Sequence, residues 1–254
     1  MSATLLRVEG LSKSFGGVQA VKDVSFTLAE GEIVGLIGPN GAGKTTLINL
    51  ITGVFPSSGG KITYRGEDVT RQRPFQAARR GLARTFQIVQ PFPAMTVLEN
   101  VVAGALFAGA AGSRSQAEAA AMAHLEFAGL ASLAQRPAAS LTLPSRKRLE
   151  LAKSLAMKPT VLLLDEVNAG LNTSEIDNAL NLIRGIAARG ITIVIVEHLM
   201  KVVLSLSQRI MVLHHGELIS AGTPENVVND PRVIEAYLGG KFAERQKKLA
   251  ATSP

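Results

Sequence analysis

Apolar, β-branched runs alternate along this chain with apolar positions at helical spacing. That pattern belongs to an α/β protein with a mainly parallel sheet. Short strands are expected at residues 5–8, 24–28 and Ile33–Ile37, the last entering a glycine-rich turn. A helix over residues 44–52, closed by Gly53, follows that turn. After a turn at 57–60 comes a strand at 61–64. From Val69 to Met157 the pattern is mostly helical. Thr96 with Glu99, and Ser115 with Glu118, have capping-box spacing, Gly129 is a helix stop, and residues 109–112 form a mobile loop. The α/β pattern returns with a buried strand at Val161–Asp165, a helix over 173–189 stopped by Gly190, and a strand at 191–196. Strands at 209–213 and 218–221 flank a hairpin turn, and two short helices start near Pro224 and Pro231. The expected organisation is a single domain with its core in 1–68 and 159–240, a helical insertion over 69–158, and a basic, frayed tail over 241–254.

Composition narrows the classes. The 254 residues suffice for one substantial domain and are too few for two. With no cysteine, disulfides and thiolate metal sites are excluded. Histidines 124, 198, 214 and 215 lack metal-ligand spacing beyond the adjacent pair, which is expected in the hairpin turn. The N-terminus lacks a signal-peptide core, and no apolar run approaches the ~18 residues of a membrane span. The expectation is a soluble intracellular protein. Its net charge of +7 points to an anionic partner.

The chemistry centres on Gly38-Pro39-Asn40-Gly41-Ala42-Gly43-Lys44-Thr45, with Thr46 after it. A strand precedes this run and a helix follows it, as a phosphate loop requires. Glycines let main-chain N–H groups turn inward, and the helix N-terminus adds positive charge. Lys44 would reach the β- and γ-phosphates of a nucleotide, and the Thr45 hydroxyl would ligate Mg²⁺. Leu162-Leu163-Leu164-Asp165-Glu166 supplies carboxylates at the end of a buried strand: Asp165 for the metal, Glu166 as general base for water.

These motifs resemble those of the ATP-binding subunits of ABC transporters, in family order over nearly the whole chain. The resemblance implies a P-loop NTPase core of RecA-like type with an N-terminal antiparallel β part and an inserted helical subdomain. It implies that Phe15, in Lys13-Ser14-Phe15-Gly16, stacks on adenine, where the alternative is a core aromatic. It makes Gln87, in Arg84-Thr85-Phe86-Gln87, the glutamine-loop residue that contacts Mg²⁺ or the attacking water. It makes His198 the switch histidine on the γ-phosphate. Within the family, residues 81–87, 169–172, 196–198 and 229–239 are similar to the branched-chain amino acid uptake group, and to the longer of its two ATPases. That similarity implies ATP and Mg²⁺ as ligands and a paralogous ATPase or a second copy as partner. It further implies two membrane-spanning permease subunits, a periplasmic binding protein, and a place at the cytoplasmic face of the bacterial inner membrane. No nucleic acid is expected.

One segment departs from the family. The signature, Leu-Ser-Gly-Gly-Gln in type, aligns with Leu141-Thr142-Leu143-Pro144-Ser145. Pro144 replaces the glycine whose N–H would reach the γ-phosphate held by the opposing subunit, and proline has no N–H to donate. Two unequal sites are expected, with Arg146 or Lys147 as candidate substitutes for the lost donor. Val167 and Asn172 replace a common proline and aspartate. Three alternatives stay open: a regulatory subunit with little hydrolysis, import of other amides or small aromatic acids, and an ABC ATPase acting on nucleic acid. Charge bears on the last. Residues 69–98 hold five arginines and no acid, and residues 136–158 hold six cations and one acid. The basic surface therefore lies around the glutamine loop and the signature, with more in the tail, which suits membrane subunits and lipid headgroups better than nucleic acid.

Overall fold

A computed structural model of the chain describes residues 3–87, 89 and 91–238, so the basic tail lies outside the described residues. The chain forms two compact units. Among the described residues, one holds 3–51, 55–71 and 196–238; the other holds 52–54 and the described part of 72–195.

The first unit opens with a hairpin far longer than hydropathy suggested. β1 (Thr4–Phe15) and β2 (Val18–Ala29) pair antiparallel over their whole length. The pattern looked short because register shifts between Val8 and Lys13 interrupt the alternation on which a strand is recognised. β4 (Gly59–Tyr64) joins β1 antiparallel, and the two-residue β5 (Glu67–Asp68) closes that sheet. β3 (Ile33–Ile37) is buried at every position and runs parallel to β9 (Arg209–His214). A strand buried on both faces reads as a continuous apolar run, which is why it was legible. β10 (Glu217–Gly222) pairs antiparallel with β9 through the expected turn, where His214 and His215 lie with ring centroids 4.0 Å apart. Ile37, Val203, Ile210, Val212, Val227 and Val233 form one core cluster of this unit. It joins the strands to α7 (Met200–Leu206), α8 (Pro224–Val228) and α9 (Pro231–Leu238). α1 (Lys44–Ile51) rises from the turn after β3. α7 was not anticipated, being too short to display a helical period.

The second unit holds the longer helices. α2 (Pro74–Arg79) leads to β6 (Leu82–Arg84), a strand unforeseen in a stretch read as helical. β6 runs parallel to β7 (Val161–Asp165), a pairing across the intervening helices that no local pattern could reveal. Next to β7 in the strand order lies β8 (Thr192–Val196). α3 (Val97–Phe107), α4 (Arg114–Phe127) and α5 (Leu143–Ala156) share a core rich in alanine, including Ala105, Ala117, Ala121 and Ala152. Thr96 forms the expected capping box with Glu99, through bonds of 3.1 and 2.7 Å. The second box is corrected. Ser113 caps α4, accepting from the Gln116 N–H at 3.2 Å, while Glu118 pairs with Arg114 instead. An i,i+4 partner was available to Glu118, and starting the helix at Arg114 leaves Ser115 inside it. α6 (Thr173–Ala187) begins with a reciprocal Asn172–Glu175 box and stops before Gly190, at φ +81°. Asn172 thus serves as the helix cap, a role asparagine and aspartate fill about equally well. No described helix is long and apolar enough to cross a membrane.

Candidate nucleotide site

In the first unit the turn between β3 and α1 is built from main chain. Gly43 has φ +103°, and a Cβ there would lie 2.4 Å from the Ala20 carbonyl oxygen. Only glycine lets the chain pass so close. The turn is braced from behind by the β9–β10 hairpin, whose Gly216 N–H donates to the Ala42 carbonyl at 3.0 Å. Lys44 is 8% exposed and curls back over the turn, its ammonium donating to the carbonyls of Gly38 (2.7 Å) and Pro39 (3.1 Å). A buried cation is thereby held inside a ring of glycine-rich backbone at a helix start, the donor set that phosphate requires. Asn40 and Thr45 are exposed on this turn, and Thr46 is half-buried.

Phe15 ends β1 with its ring 42% exposed, edge-on to Phe55 at 5.3 Å and with the Lys13 ammonium 5.0 Å away. It is not a core aromatic. His198 is exposed just after β8, and the Glu197 beside it is fully buried. A contact absent from the sequence reading comes from the end of the described chain. Tyr237 on α9 is hydrogen-bonded to the main chain of Gly38, while burial pushes its phenol above the ordinary value. The sequence around Tyr237 resembles the family but carries no sign of this contact.

In the second unit the end of β7 is built from side chains. Asp165 is 2% exposed, and its Oδ2 accepts from Arg84 at 3.2 Å. Its N–H donates to Thr85 Oγ1 at 3.1 Å. Burial lowers the Arg84 guanidinium from its ordinary value and the Asp165 charge opposes that shift. Arginine stays cationic even so. The next residue, Glu166, has φ +49°, a left-handed conformation costing a residue with a Cβ about 1–2 kcal/mol. Gln87 donates from Nε2 to Glu166 Oε2 at 2.5 Å. Sequence reasoning singled out Gln87, Asp165 and Glu166, and the structure brings them together within this unit. It missed Arg84 and Thr85 as partners of Asp165, although both stand in the run that marked Gln87. Nothing in local pattern shows a pairing across 81 residues.

The signature segment is also in this unit. Leu141 is buried, Thr142 occupies the cap position of α5, and Leu143 and Pro144 form its first turn. Pro144 fits there because an N–H in a first helical turn has no intrahelical partner to lose. The Thr142 hydroxyl donates to Ser145 Oγ at 3.2 Å. The idea that Arg146 or Lys147 replaces the lost donor meets a different arrangement. Arg146 bonds the Ala139 carbonyl at 2.9 Å, and the buried Lys147 bonds the Glu166 carbonyl at 3.2 Å. Both side chains turn back into their own chain.

Residues 21–169 match the family model described as ABC transporter, and residues 217–243 match that of the branched-chain amino acid ATP-binding cassette transporter. The chain is 44% identical over 255 residues to the high-affinity branched-chain amino acid transport ATP-binding protein LivG of Salmonella typhimurium, covering 94% of this chain and 99% of that one. To BraF of Pseudomonas aeruginosa, similarly described, it is 39% identical over 253 residues at the same coverage. Among solved structures it is similar to the ADP conformation of MJ1267, an ATP-binding cassette of an ABC transporter. There the TM-score is 0.85 at 32% identity, covering 94% of this chain and all of that one.

Proposed function

Because the chain belongs to the ABC transporter family of ATP-binding proteins, we propose that it hydrolyses ATP to drive import of branched-chain amino acids through a membrane complex. In this reading the phosphate loop, residues 38–46, holds the triphosphate and Lys44 neutralises the β- and γ-phosphates. Phe15 stacks on adenine. Glu166 takes a proton from the attacking water, Gln87 orients that water together with the carboxylate, and His198 donates to the γ-phosphate. Thr45, Asp165 and Gln87 offer the oxygen donors that suit Mg²⁺, which would supply charge neutralisation at the phosphates. The observation that carries this reading is the Gln87–Glu166 bond beside a fully buried Asp165. It brings a glutamine loop and a carboxylate pair into one assembled group.

The core in 1–68 and 159–240 then binds nucleotide, the helical insertion 69–158 carries the signature, and 241–254 is a basic tail. Partner contact has its own support. Phe75, Phe86, Phe92 and Phe107 are each half exposed or more, and Arg79, Arg84 and Lys153 lie over the first three rings at 5.8, 4.5 and 5.4 Å. An exposed aromatic and cationic surface in the helical unit suits the permease subunits of a complex at the cytoplasmic face of the bacterial inner membrane. A paralogous ATPase or a second copy would complete the nucleotide sites, and a periplasmic binding protein would deliver substrate.

In the assembly the site closed by Pro144 lacks one donor to phosphate. Such a bond is worth roughly 1.5–3 kcal/mol, so that site should turn over about ten- to a hundred-fold more slowly. This favours a second, weaker reading in which the chain chiefly regulates its partner. Glu166→Gln in the reconstituted complex separates the two. The import reading expects turnover to fall by at least a hundred-fold with ATP still bound, whereas unchanged turnover would favour the regulatory one. Pro144→Gly should accelerate only the site it closes.

A further inference from the structure

The first turn of α5 and the turn after β7 are packed together. A Cβ on Gly170 would meet Leu143 at 3.1 Å, and Thr142, Pro144, Lys147, Val167 and Leu171 help line one cleft of about 240 Å³. Among these residues Lys147 stands out. It is 7% exposed, and its ammonium donates to the main-chain oxygen of Glu166 at 3.2 Å. Burying an ammonium is unfavourable unless acceptors are fixed around it, so Lys147 and that carbonyl hold each other in place. The carbonyl belongs to the one residue of this turn that bears a side chain in the left-handed region, at φ +49°. Such a conformation persists only where its surroundings enforce it. Its second acceptance, from the Ala169 N–H at 3.2 Å, is local to the turn; Lys147 comes from another element.

We propose that Lys147 is a positioning residue for Glu166. Its ammonium clamps the main-chain carbonyl and keeps residue 166 left-handed. The Cα–Cβ direction, and with it the carboxylate that meets Gln87, is thereby fixed. The clamp also ties the signature helix, whose first turn carries Pro144, to the base of the same chain. A displacement of that helix when it closes the opposing nucleotide site is felt at Glu166 through this contact.

The inference rests on Glu166 being the general base, so Glu166→Gln is measured beside the lysine variants, all in the reconstituted transporter. Lys147→Met should lower kcat for ATP at least tenfold and leave KM for MgATP within twofold. Lys147→Arg, which keeps a cationic donor, should recover kcat to within threefold. Lys147→Gln, a polar side chain too short to reach, should lose kcat as the methionine variant does, which guards against a folding failure peculiar to methionine. The clamp is overturned if Lys147→Met or Lys147→Gln keeps kcat within twofold. It is also overturned if kcat, KM and melting temperature worsen together and arginine restores none of them. A Glu166→Gln chain with wild-type turnover would remove the base assignment itself and the clamp with it. An inactive Glu166→Gln beside an active Lys147→Met would remove the clamp alone.

Discussion

Two turns follow two fully buried five-residue strands, and they are built in opposite ways. The turn after β3 works through its backbone: glycines take the positive φ angles at 41 and 43, and the Lys44 side chain folds inward to bond main-chain oxygens. The turn after β7 works through side chains: a glutamate sits where glycine would be easier, Gln87 and Lys147 reach it from other elements, and Arg84 holds Asp165 just before it. The first turn takes its shape from its own glycines, and the fold adds mainly main-chain neighbours, Gly216 donating to Ala42 and the Ala20 carbonyl beside Gly43. The second depends on partners brought to it by the fold. A change in the first should therefore act locally on nucleotide grip, and a change in the second should spread to the packing of its unit.

The largest test of this contrast is Arg84→Met. It leaves the 2%-exposed Asp165 carboxylate without its guanidinium, a loss of about 3–5 kcal/mol for a broken buried pair. Urea unfolding should show it, and Asp165→Asn in the same chain should recover most of it. An Arg84→Met chain of unchanged stability would remove the distinction between the turns. Next comes Gly43→Ala. A methyl 2.4 Å from the Ala20 oxygen, at φ +103°, should destabilise by roughly 2–4 kcal/mol and reduce ATP binding, read by equilibrium titration. Gly41→Ala is its control. That position, at φ +77°, has no atom within 4 Å of the added methyl, so only the conformational cost of about 1–2 kcal/mol should appear.

The smallest effect concerns α9, which brings Tyr237 to the phosphate loop. Asp230 stands before this helix and accepts from the Arg232 N–H at 2.9 Å. The Arg232 guanidinium first, then the Ser220 hydroxyl, hold its carboxyl well below the usual aspartate range. A depressed folded pKa stabilises fully above the unfolded value, about pH 4, and the gain vanishes as pH falls through the folded value. Asp230→Asn should therefore cost about 0.5–1 kcal/mol at pH 7, with wild type and variant converging in acid thermal melts. A difference that persists unchanged at pH 2 would discount the ion pair.

The same contrast explains what could be read from the chain. The phosphate loop was legible because glycine and lysine spacing is itself the geometry, and β3 and β7 were legible as continuous apolar runs. Family resemblance singled out Gln87, and the carboxylates at the end of an apolar run singled out Glu166; the fold brings the two side chains together. The Arg84–Asp165 pair and the Lys147 clamp were not legible, since each joins residues that only the fold makes neighbours. β6 escaped for the same reason: three residues among arginines become a strand by pairing with β7, with no alternation of their own. The true length of β1 was hidden by its bulges, and the start of α4 by two serines equally able to cap it.

The left-handed glutamate has a consequence for anyone who engineers this chain. Glycine adopts φ +49° without strain and asparagine with little. A screen that rewards thermal tolerance alone would therefore favour replacing Glu166 by either. With Glu166 as the proposed general base, the selected protein would be hardier and slower. Position 166 is a place where selection for durability and selection for transport pull in opposite directions, and a stabilised library of this protein should hold it fixed.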